Sequence, residues 1–281
     1  MDKISELKRN HVICFALIAI LADYFIRSVM TSVLKYFEVI NGSTNLDYMI
    51  YELVALAVAC VMLYVCKQTH ILKCGTKGLG RGLWSGMVFF LLAVLGCYIY
   101  TVEGMQYGNT AYKSLLQISA FVIFVILVGL AEEFLFRGVI ADSIFECFGK
   151  SVSGVWFSVI LSGVLFGISH ITNILSGQTI EKTIIQMIAV SISGILFSAI
   201  YIRHKNIFAT AILHAVLDFL TMFEEGFFEN SSLEYVNVDI DFWASLRQSL
   251  MSQSIFLMAA IFVLRPQIIR KIAAQKETEK G

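Results

Sequence analysis

Residues 118–140 read ISAFVIFVILVGLAEEFLFRGVI, an apolar run of membrane-spanning length interrupted by two adjacent carboxylates and an arginine. An ionisable side chain in hydrocarbon costs about 2.5–3.5 kcal/mol on insertion scales. Three such groups within six residues, Glu132, Glu133 and Arg137, indicate either a functional site or an ion pair that orients one helix. At helical spacing Glu133 and Arg137 share a face and can neutralise each other, whereas Glu132 is rotated by one residue. A poorly solvated carboxylate near a fixed cation can be tuned towards general-base chemistry.

The composition of the whole chain is that of a membrane protein. Of its 281 residues, 58% are hydrophobic and 15% are charged, whereas a soluble domain has about 25% charged residues. The apolar residues form blocks long enough to cross a bilayer. We therefore predict an all-α, polytopic membrane helix bundle of about eight transmembrane helices, with residues 1–281 forming a single integral membrane domain. The formal net charge of zero gives no reason to expect a nucleic-acid partner.

The apolar blocks locate the predicted spans along the chain. They lie at about residues 12–34, 48–66, 83–100, 113 through the Glu132 motif, 152–174, 184–202, 207–223 and 252–264. In the first span Asp23 and Arg27 stand four residues apart, so we expect a self-neutralising pair that faces the bundle. The six cysteines show no CxxC spacing, which indicates neither a disulfide framework nor structural zinc.

The charges between the spans predict the orientation in the membrane. Basic residues without acidic ones occupy 67–81, and further basic residues lie at 203–205 and in the tail after residue 264. The segment 223–242 is acidic and contains no basic residue. With eight spans and a cytoplasmic N-terminus, every basic segment lies inside the cell and the acidic segment outside, as the positive-inside rule expects. Both termini are therefore predicted to be cytoplasmic.

Two further polar pairs stand at helical spacing inside predicted spans. Phe166 and His170 share one helix face, as do His214 and Asp218. A lone intramembrane histidine is more often a hydrogen-bonding group than a catalyst. Asp218 favours a catalytic role for His214, because a carboxylate can fix the tautomer and orientation of an imidazole.

The three motifs are expected to lie at similar depths in the membrane. If a helical hairpin turns near 149–150, Glu132 lies 17 residues before the turn and His170 lies 20 residues after it. At ~1.5 Å per residue these are ~26 and ~30 Å, so antiparallel packing brings both to about one level. His214 lies about nine residues past the basic turn at 203–205, roughly 13 Å inside the cytoplasmic surface. The sequence thus predicts a cytoplasm-facing cavity that contains Glu132, Glu133, Arg137, His170, His214 and Asp218.

Several protease signatures are absent from the chain. It has no HExxH zinc helix and no GxGD motif of intramembrane aspartyl proteases. The sequence Gly167-Ile-Ser169-His170 is only partly similar to GxSG, and a nucleophile adjacent to its own base is poorly placed, so we disfavour a serine mechanism. The acidic pair Glu224 and Glu225 is interpreted as solvated surface.

The three polar motifs, taken in chain order, resemble those of one known family, the CPBP family. The resemblance is carried by Glu132-Glu133-xxx-Arg137, Phe166-xxx-His170 and His214-xxx-Asp218. This family comprises the CAAX proteases and the bacteriocin-processing or bacteriocin-immunity membrane proteins, also called Abi proteins, and is related to the type II prenyl-protein endopeptidases. The resemblance covers about residues 113–222, the catalytic core, whereas the first three spans match only in hydropathy.

The resemblance implies an eight-helix, glutamate-dependent endopeptidase whose site opens to the cytoplasm. Glu132, assisted by His170, would activate the attacking water. Glu133 and Arg137 would hold the site together. A cavity that faces the cytoplasm suggests a membrane-associated peptide, a lipidated C-terminus or a leader peptide as the substrate.

The resemblance also assigns roles to the third motif. His214 and Asp218 would stabilise the tetrahedral oxyanion directly or through a bound water. An ionised Asp218 can accept from His214 but cannot donate to an oxyanion, so orienting His214 is the alternative role. Glu132, His170 and His214 could form a three-ligand site with an open position, as catalytic zinc prefers. A carboxylate mechanism without a metal uses the same atoms, and both possibilities stay open.

Two other classes of function compete with the protease. One is a non-catalytic bacteriocin-immunity or membrane scaffold protein that keeps the polar cluster for folding. The other is a small carrier with protons or cations bound at mid-depth, which the absence of paired half-repeats disfavours. We expect the bilayer and a peptide or lipidated protein as partners, and the bacterial cell membrane as the location.

Overall fold

The computed structural model describes residues 3–42, 44–106, 111–229 and 241–278. Its α-helices are, in chain order, α1 (Lys3–Asn10), α2 (Val12–Tyr36), α3 (Asn45–Val65), α4 (Leu79–Ser85), α5 (Met87–Gln106), α6 (Leu115–Glu133), α7 (Asp142–Phe148), α8 (Val152–Ser169), α9 (Ile180–His204), α10 (Ile207–Thr221), α11 (Phe223–Phe227), α12 (Phe242–Val263) and α13 (Pro266–Thr278). Extended pairing in this part of the chain is limited to an isolated antiparallel bridge between Tyr112 and Phe228. The predicted all-α class is confirmed.

Most of the predicted spans correspond to long apolar helices. By length and composition, six helices among the described residues are able to cross a membrane: Val12–Tyr36, Asn45–Val65, Leu115–Phe148, Val152–Ser176, Ile180–His204 and Phe242–Val263. A seventh is counted if Leu79–Ser85 and Met87–Ile99, which meet at an angle of 58°, form one broken span. The chain is therefore an integral membrane protein built as a polytopic helix bundle.

The remaining predicted span, at 207–223, is shorter than expected. Its helix α10 has 15 residues, or ~22 Å at the α-helical rise, against a hydrocarbon core about 30 Å thick. It starts sharply because the Asn206 side chain accepts from the Ala209 backbone N–H. The eight predicted spans thus become six or seven span-length helices and one short apolar helix. In the acidic segment after α10, Glu234 and Asp239 lie outside the described residues.

The described residues cluster into two compact units. The first unit contains Ile18–Leu135 and Asn206–Glu234. In it, α3, α10 and α11 pack on α6, and α10 also packs on α4 and α5. Asn45 ties the start of α3 to the start of α6, since its backbone N–H donates to Gln117 Oε1 at 3.0 Å and its side chain donates to Gln117 O at 3.0 Å.

The first unit also contains the predicted ion pair of the first span. Arg27 Nε lies 2.9 Å from Asp23 Oδ2, and Asp23 is 3% exposed. The i, i+4 pair is therefore confirmed, and Asp23 faces the protein interior. Both side chains lie outside the segment that carries the three motifs.

The second unit contains Met1–Leu17, Phe136–Lys205 and Tyr235–Gly281. Its α9 packs against α8 and α12, and α13 packs against α8. Small residues allow α8 and α9 to approach closely: a Cβ added at Gly163 would lie 2.6 Å from the backbone nitrogen of Ile195. Ser162 Oγ donates to Ser198 Oγ across the same interface at 2.9 Å. Close approach of small residues is how helices associate without a hydrophobic driving force in lipid.

The helix that carries the two glutamates changes its geometry directly after them. Phe134–Ala141 is π-helical, and all eight of its residues are buried. The sequence predicted an uninterrupted α-helix here, because apolar spacing alone does not distinguish the two geometries. Short π-helical turns within α-helices frequently occur at functional sites.

Candidate active site

Two adjacent glutamates end α6 in the first unit, and their surroundings differ. Glu133 is fully buried at 0% exposure, whereas the side chain of Glu132 is 22% exposed. Successive residues on a helix point about 100° apart, so one carboxylate faces the packed interior while its neighbour keeps access to an opening. Of the pair, Glu132 is therefore the carboxylate that a substrate or water can reach.

His214 on α10 lies among three carboxylates. Its Nδ1 is 3.0 Å from Glu133 Oε1. Its Nε2 is 3.6 Å from Glu132 Oε2 and 3.5 Å from Asp218 Oδ2. The His214 side chain is 5% exposed, so these contacts are made away from bulk solvent. We call Glu132, Glu133, His214 and Asp218 the carboxylate–histidine cluster.

The cluster fixes the tautomer of its histidine. An ionised carboxylate can only accept, so the short contact with Glu133 assigns a proton to Nδ1 of His214. The second nitrogen, Nε2, then faces Glu132 and Asp218. Two carboxylates beside one ring nitrogen can stabilise a proton on that nitrogen or accept the proton from it. General acid–base catalysis needs groups that exchange protons in this way.

A glycine on α6 allows α10 to bring His214 this close. A Cβ added at Gly129 would lie 2.5 Å from the Ala211 carbonyl oxygen and 3.0 Å from the Ala215 backbone nitrogen. Gly129 stands one turn before Glu133, and Ala211 and Ala215 flank His214. The two backbones can therefore touch at the level where the imidazole must reach both glutamates.

Arg137 lies in the second unit and is 1% exposed. Its guanidinium carbon is 4.5 Å from the ring centre of Phe166 and 5.1 Å from that of Phe197. Its Nη2 donates to the Gly194 carbonyl oxygen at 3.2 Å. The planar cation is thus held against two aromatic faces, an arrangement that arginine supports better than lysine.

His170 follows the end of α8, and its ring is oriented by Phe166. The two rings meet edge to face with centres 5.3 Å apart. Nδ1 of His170 lies 3.1 Å from the Phe166 carbonyl oxygen. Because a carbonyl only accepts, Nδ1 donates and the basic lone pair belongs to Nε2. Within the second unit, Arg137 therefore supports the ring of Phe166, and Phe166 in turn orients His170.

The predicted pairs at helical spacing are confirmed, since Phe166 contacts His170 and His214 contacts Asp218. The contact between Glu133 and His214 was not predicted, because the sequence favoured Arg137 as the partner of Glu133. The pairing of Glu133 with Arg137, and the shared cavity of all six residues, stay predictions.

Sequence reasoning also missed a fourth carboxylate of functional interest. Glu52 is 7% exposed and lies within α3. The signal was present in the sequence, as a lone acidic residue inside the apolar stretch 48–66. Intramembrane ionisable residues are by default functional-site candidates.

Glu132, His170 and His214 are the candidate ligands if a metal takes part. Among the described residues, no group of three or more His, Cys, Asp or Glu side chains is placed to hold a metal ion. All six cysteines lie in the described part of the chain, and none of them forms a disulfide. The reaction proposed below is written with carboxylate and imidazole side chains alone.

Fold and side chains together define an integral membrane protein with a buried carboxylate–histidine cluster. Residues 114–220 match the family described as Type II CAAX prenyl endopeptidase Rce1-like. This segment contains all six predicted site residues, and the match supports the family predicted from the three motifs. At family level it supports an intramembrane CAAX-type protease, a peptide hydrolase. Comparisons with curated proteins and with solved structures gave no match.

Proposed function

We propose that the chain is a glutamate-dependent endopeptidase that cleaves membrane-associated or lipidated peptides, with Glu132 as the catalytic base. The observation that carries this proposal is the position of His214. It is bonded through Nδ1 to the buried Glu133 and faces the accessible Glu132 through Nε2. In this arrangement Glu133 would position the imidazole, whereas Glu132 would react with water.

The proposed reaction is hydrolysis of one peptide bond by one water. Glu132, assisted by His170, takes a proton from the water, and the water oxygen forms a bond to the peptide carbonyl carbon. The oxyanion that forms is stabilised by His214, which donates through Nε2 when both ring nitrogens carry protons. Glu132 then delivers its proton to the leaving amine nitrogen as the C–N bond breaks. One oxyanion donor contributes about 10²–10³ in rate.

The other residues act by positioning. Glu133 accepts from His214 and fixes the direction of the imidazole. Asp218, 3.5 Å from the same ring, orients Nε2 and compensates its charge. Arg137 acts on His170 through the Phe166 ring that it contacts.

The proposed location follows from the charges between the helices. Basic segments at 67–81 and 203–205 favour the cytoplasmic side, and the acidic segment that follows α10 favours the outside. We place both termini in the cytoplasm and the protein in a bacterial cell membrane. The substrate would reach the site from the cytoplasmic side of the bilayer, as a lipidated C-terminus or a leader peptide.

A peptide panel tests the function and the substrate class together. Wild type and Glu132→Ala, purified and reconstituted in vesicles, would be offered quenched-fluorescence peptides with lipidated C-termini, unlipidated C-termini and leader sequences. We expect wild type to cleave at least one class and Glu132→Ala to cleave none, with matched size-exclusion profiles. The exposed residue Glu277 supplies the control variant, Glu277→Ala. Equal cleavage by wild type and Glu132→Ala, or no cleavage by either, would contradict the proposal and favour a non-catalytic membrane scaffold.

A further inference from the structure

His170 begins a short segment that turns the chain from α8 back to α9. Residues His170–Ser176 form a 3₁₀ helix, which we call the His170 segment, and Gly177 follows with a φ of +94°. Ile171 and Leu175 on this segment are 50% and 76% exposed. Because these large side chains do not pack inside the protein, the position of the segment depends largely on its polar contacts.

Three side-chain amides meet between the His170 segment and α9. Gln186 on α9 accepts two hydrogen bonds through its Oε1, from Asn173 Nδ2 at 2.8 Å and from Gln178 Nε2 at 3.1 Å. Asn173 belongs to the His170 segment, whereas Gln178 directly precedes Thr179, the N-cap residue of α9. Gln186 thus joins both ends of the turn to one point on α9.

Backbone hydrogen bonds close the same turn. The Gly177 N–H donates to the Ile174 carbonyl oxygen and the Gln178 N–H donates to the Asn173 carbonyl oxygen, both at 3.1 Å. Gln178 is 7% exposed, so an amide donor left there without an acceptor would be costly. Removing the Oε1 of Gln186 would therefore force the turn to rearrange.

The residue after Gln186 contacts α8 just before His170. A Cβ added at Gly167 would lie 2.3 Å from the Met187 carbonyl oxygen. The His170 N–H donates to the Gly167 carbonyl oxygen and so closes the end of α8. The helix end that carries His170 is thus held on α9 at two neighbouring residues, by close packing at Met187 and by hydrogen bonds at Gln186.

We propose that Gln186 is a positioning residue for His170 and acts by fixing the segment that His170 begins. The direction of the His170 ring depends on its own backbone and on the Phe166 carbonyl oxygen, which lies 3.1 Å from Nδ1. If the segment moves, the backbone angles of His170 change, and Nε2 loses the orientation that the proposed reaction requires. The effect on cleavage rests on the proposed function, whereas the effect on the segment does not.

Hydrogen exchange tests whether Gln186 fixes the segment, without any activity. Gln186→Met removes the acceptor at similar side-chain length, whereas Gln186→Glu keeps an acceptor. In vesicles, the backbone N–H groups of Gly177 and Gln178 should exchange about tenfold faster than in wild type in Gln186→Met, and at the wild-type rate in Gln186→Glu. Gln275→Met, at an exposed position on α13, is the matched control. Wild-type exchange in Gln186→Met, or equally fast exchange in both Gln186 variants, would overturn the proposal.

Single-turnover cleavage tests the action on His170, and excess enzyme keeps slow cleavage measurable. Gln186→Met should cleave about tenfold more slowly than wild type with unchanged substrate binding, and Gln186→Glu should retain most of the rate. In a His170→Ala background, Gln186→Met should cause no further loss, because the residue through which it acts is gone. The same tenfold loss in both backgrounds would overturn the positioning role and indicate a purely structural one.

The two measurements keep the two proposals apart. If wild type cleaves no peptide, the proposed function fails, while hydrogen exchange still decides whether Gln186 fixes the segment. If Gln186→Met does not fold, Asn173→Ala replaces it, since it removes one of the two donors at a half-buried position. Asn173→Ala should show faster exchange of the same two N–H groups and the same dependence on His170, and wild-type exchange in this variant would overturn the proposal.

Discussion

Nδ1 of His214 lies 3.0 Å from Oε1 of Glu133, and the two side chains are 5% and 0% exposed. The residues are 81 positions apart in sequence and meet because α10 packs directly on α6. A carboxylate fully removed from solvent does not meet a substrate directly, and the contact with the imidazole gives it a way to act on the site. We therefore propose Glu133 as a positioning residue and Glu132 as the catalytic base.

Glu133→Gln should lower kcat more than it changes KM. The amide can still accept from Nδ1, but the hydrogen bond loses its charge assistance, a loss of about 1–1.5 kcal/mol. This corresponds to about a 5–10-fold lower kcat. Steady-state kinetics on the best peptide of the panel measure the effect, with Glu277→Gln as the matched control. A wild-type kcat in Glu133→Gln would contradict the positioning role.

Asp218→Asn should retain more activity than Asp218→Ala. An asparagine oxygen can keep the polar contact with Nε2 of His214, and its amide can also donate to an oxyanion, whereas alanine does neither. We expect Asp218→Asn within about tenfold of wild type and Asp218→Ala lower by about a further tenfold, in line with the loss of one polar interaction. Equal kcat values for the two variants would show that Asp218 does not act through its polar contact.

Arg137→Lys should destabilise the protein although it keeps the positive charge. The ammonium group cannot lie flat against Phe166 and Phe197, so a buried cation–π contribution of about 2 kcal/mol is lost. Thermal unfolding in detergent measures the loss, and kcat should fall as the ring of His170 loses its support. Arg270→Lys, at an exposed position, is the matched control. Identical unfolding of both variants would contradict the stacking role.

Gly129→Ala should reduce both stability and activity. The added Cβ meets the Ala211 carbonyl oxygen at 2.5 Å, and backbone cannot move aside without separating α10 from α6. Overpacking of this kind costs about 1–3 kcal/mol. Gly80→Ala is the control, because a Cβ at that position meets nothing within 4 Å. If both variants unfold at the wild-type temperature, the close approach at Gly129 is not required.

Removal of divalent metal should leave cleavage unchanged. The described residues offer no three-ligand group, and the proposed reaction uses carboxylate and imidazole side chains alone. Initial rates before and after exhaustive dialysis against a chelator measure this. Loss of activity that added Zn²⁺ restores would contradict a metal-independent mechanism.

Contacts within a single helix were predictable from the sequence. Asp23–Arg27, Phe166–His170 and His214–Asp218 all depend on a spacing of four residues within one helix, and helical periodicity determines such contacts. The long apolar blocks likewise predicted the span-length helices. These features need no knowledge of how helices pack.

Contacts between helices were not predictable in the same way. The contact of Glu133 with His214 was not predicted because the two residues lie on different helices, and the approach of α10 at Gly129 depends on tertiary packing. The π-helical turn after Glu133 has no signature in apolar spacing. Helix α10 is short because Asn206 caps its start and it ends at Thr221, two residues before the predicted end.

Single-turnover cleavage by wild type and Glu132→Gln tests the role of Glu132 most directly. With enzyme in excess over the best peptide of the panel, the rate reports the chemical step and excludes product release. Glutamine has the same size but cannot take a proton from water, so we expect a rate at least about 10³-fold lower with unchanged substrate binding. A Glu132→Gln rate within a few-fold of wild type would contradict water activation by Glu132.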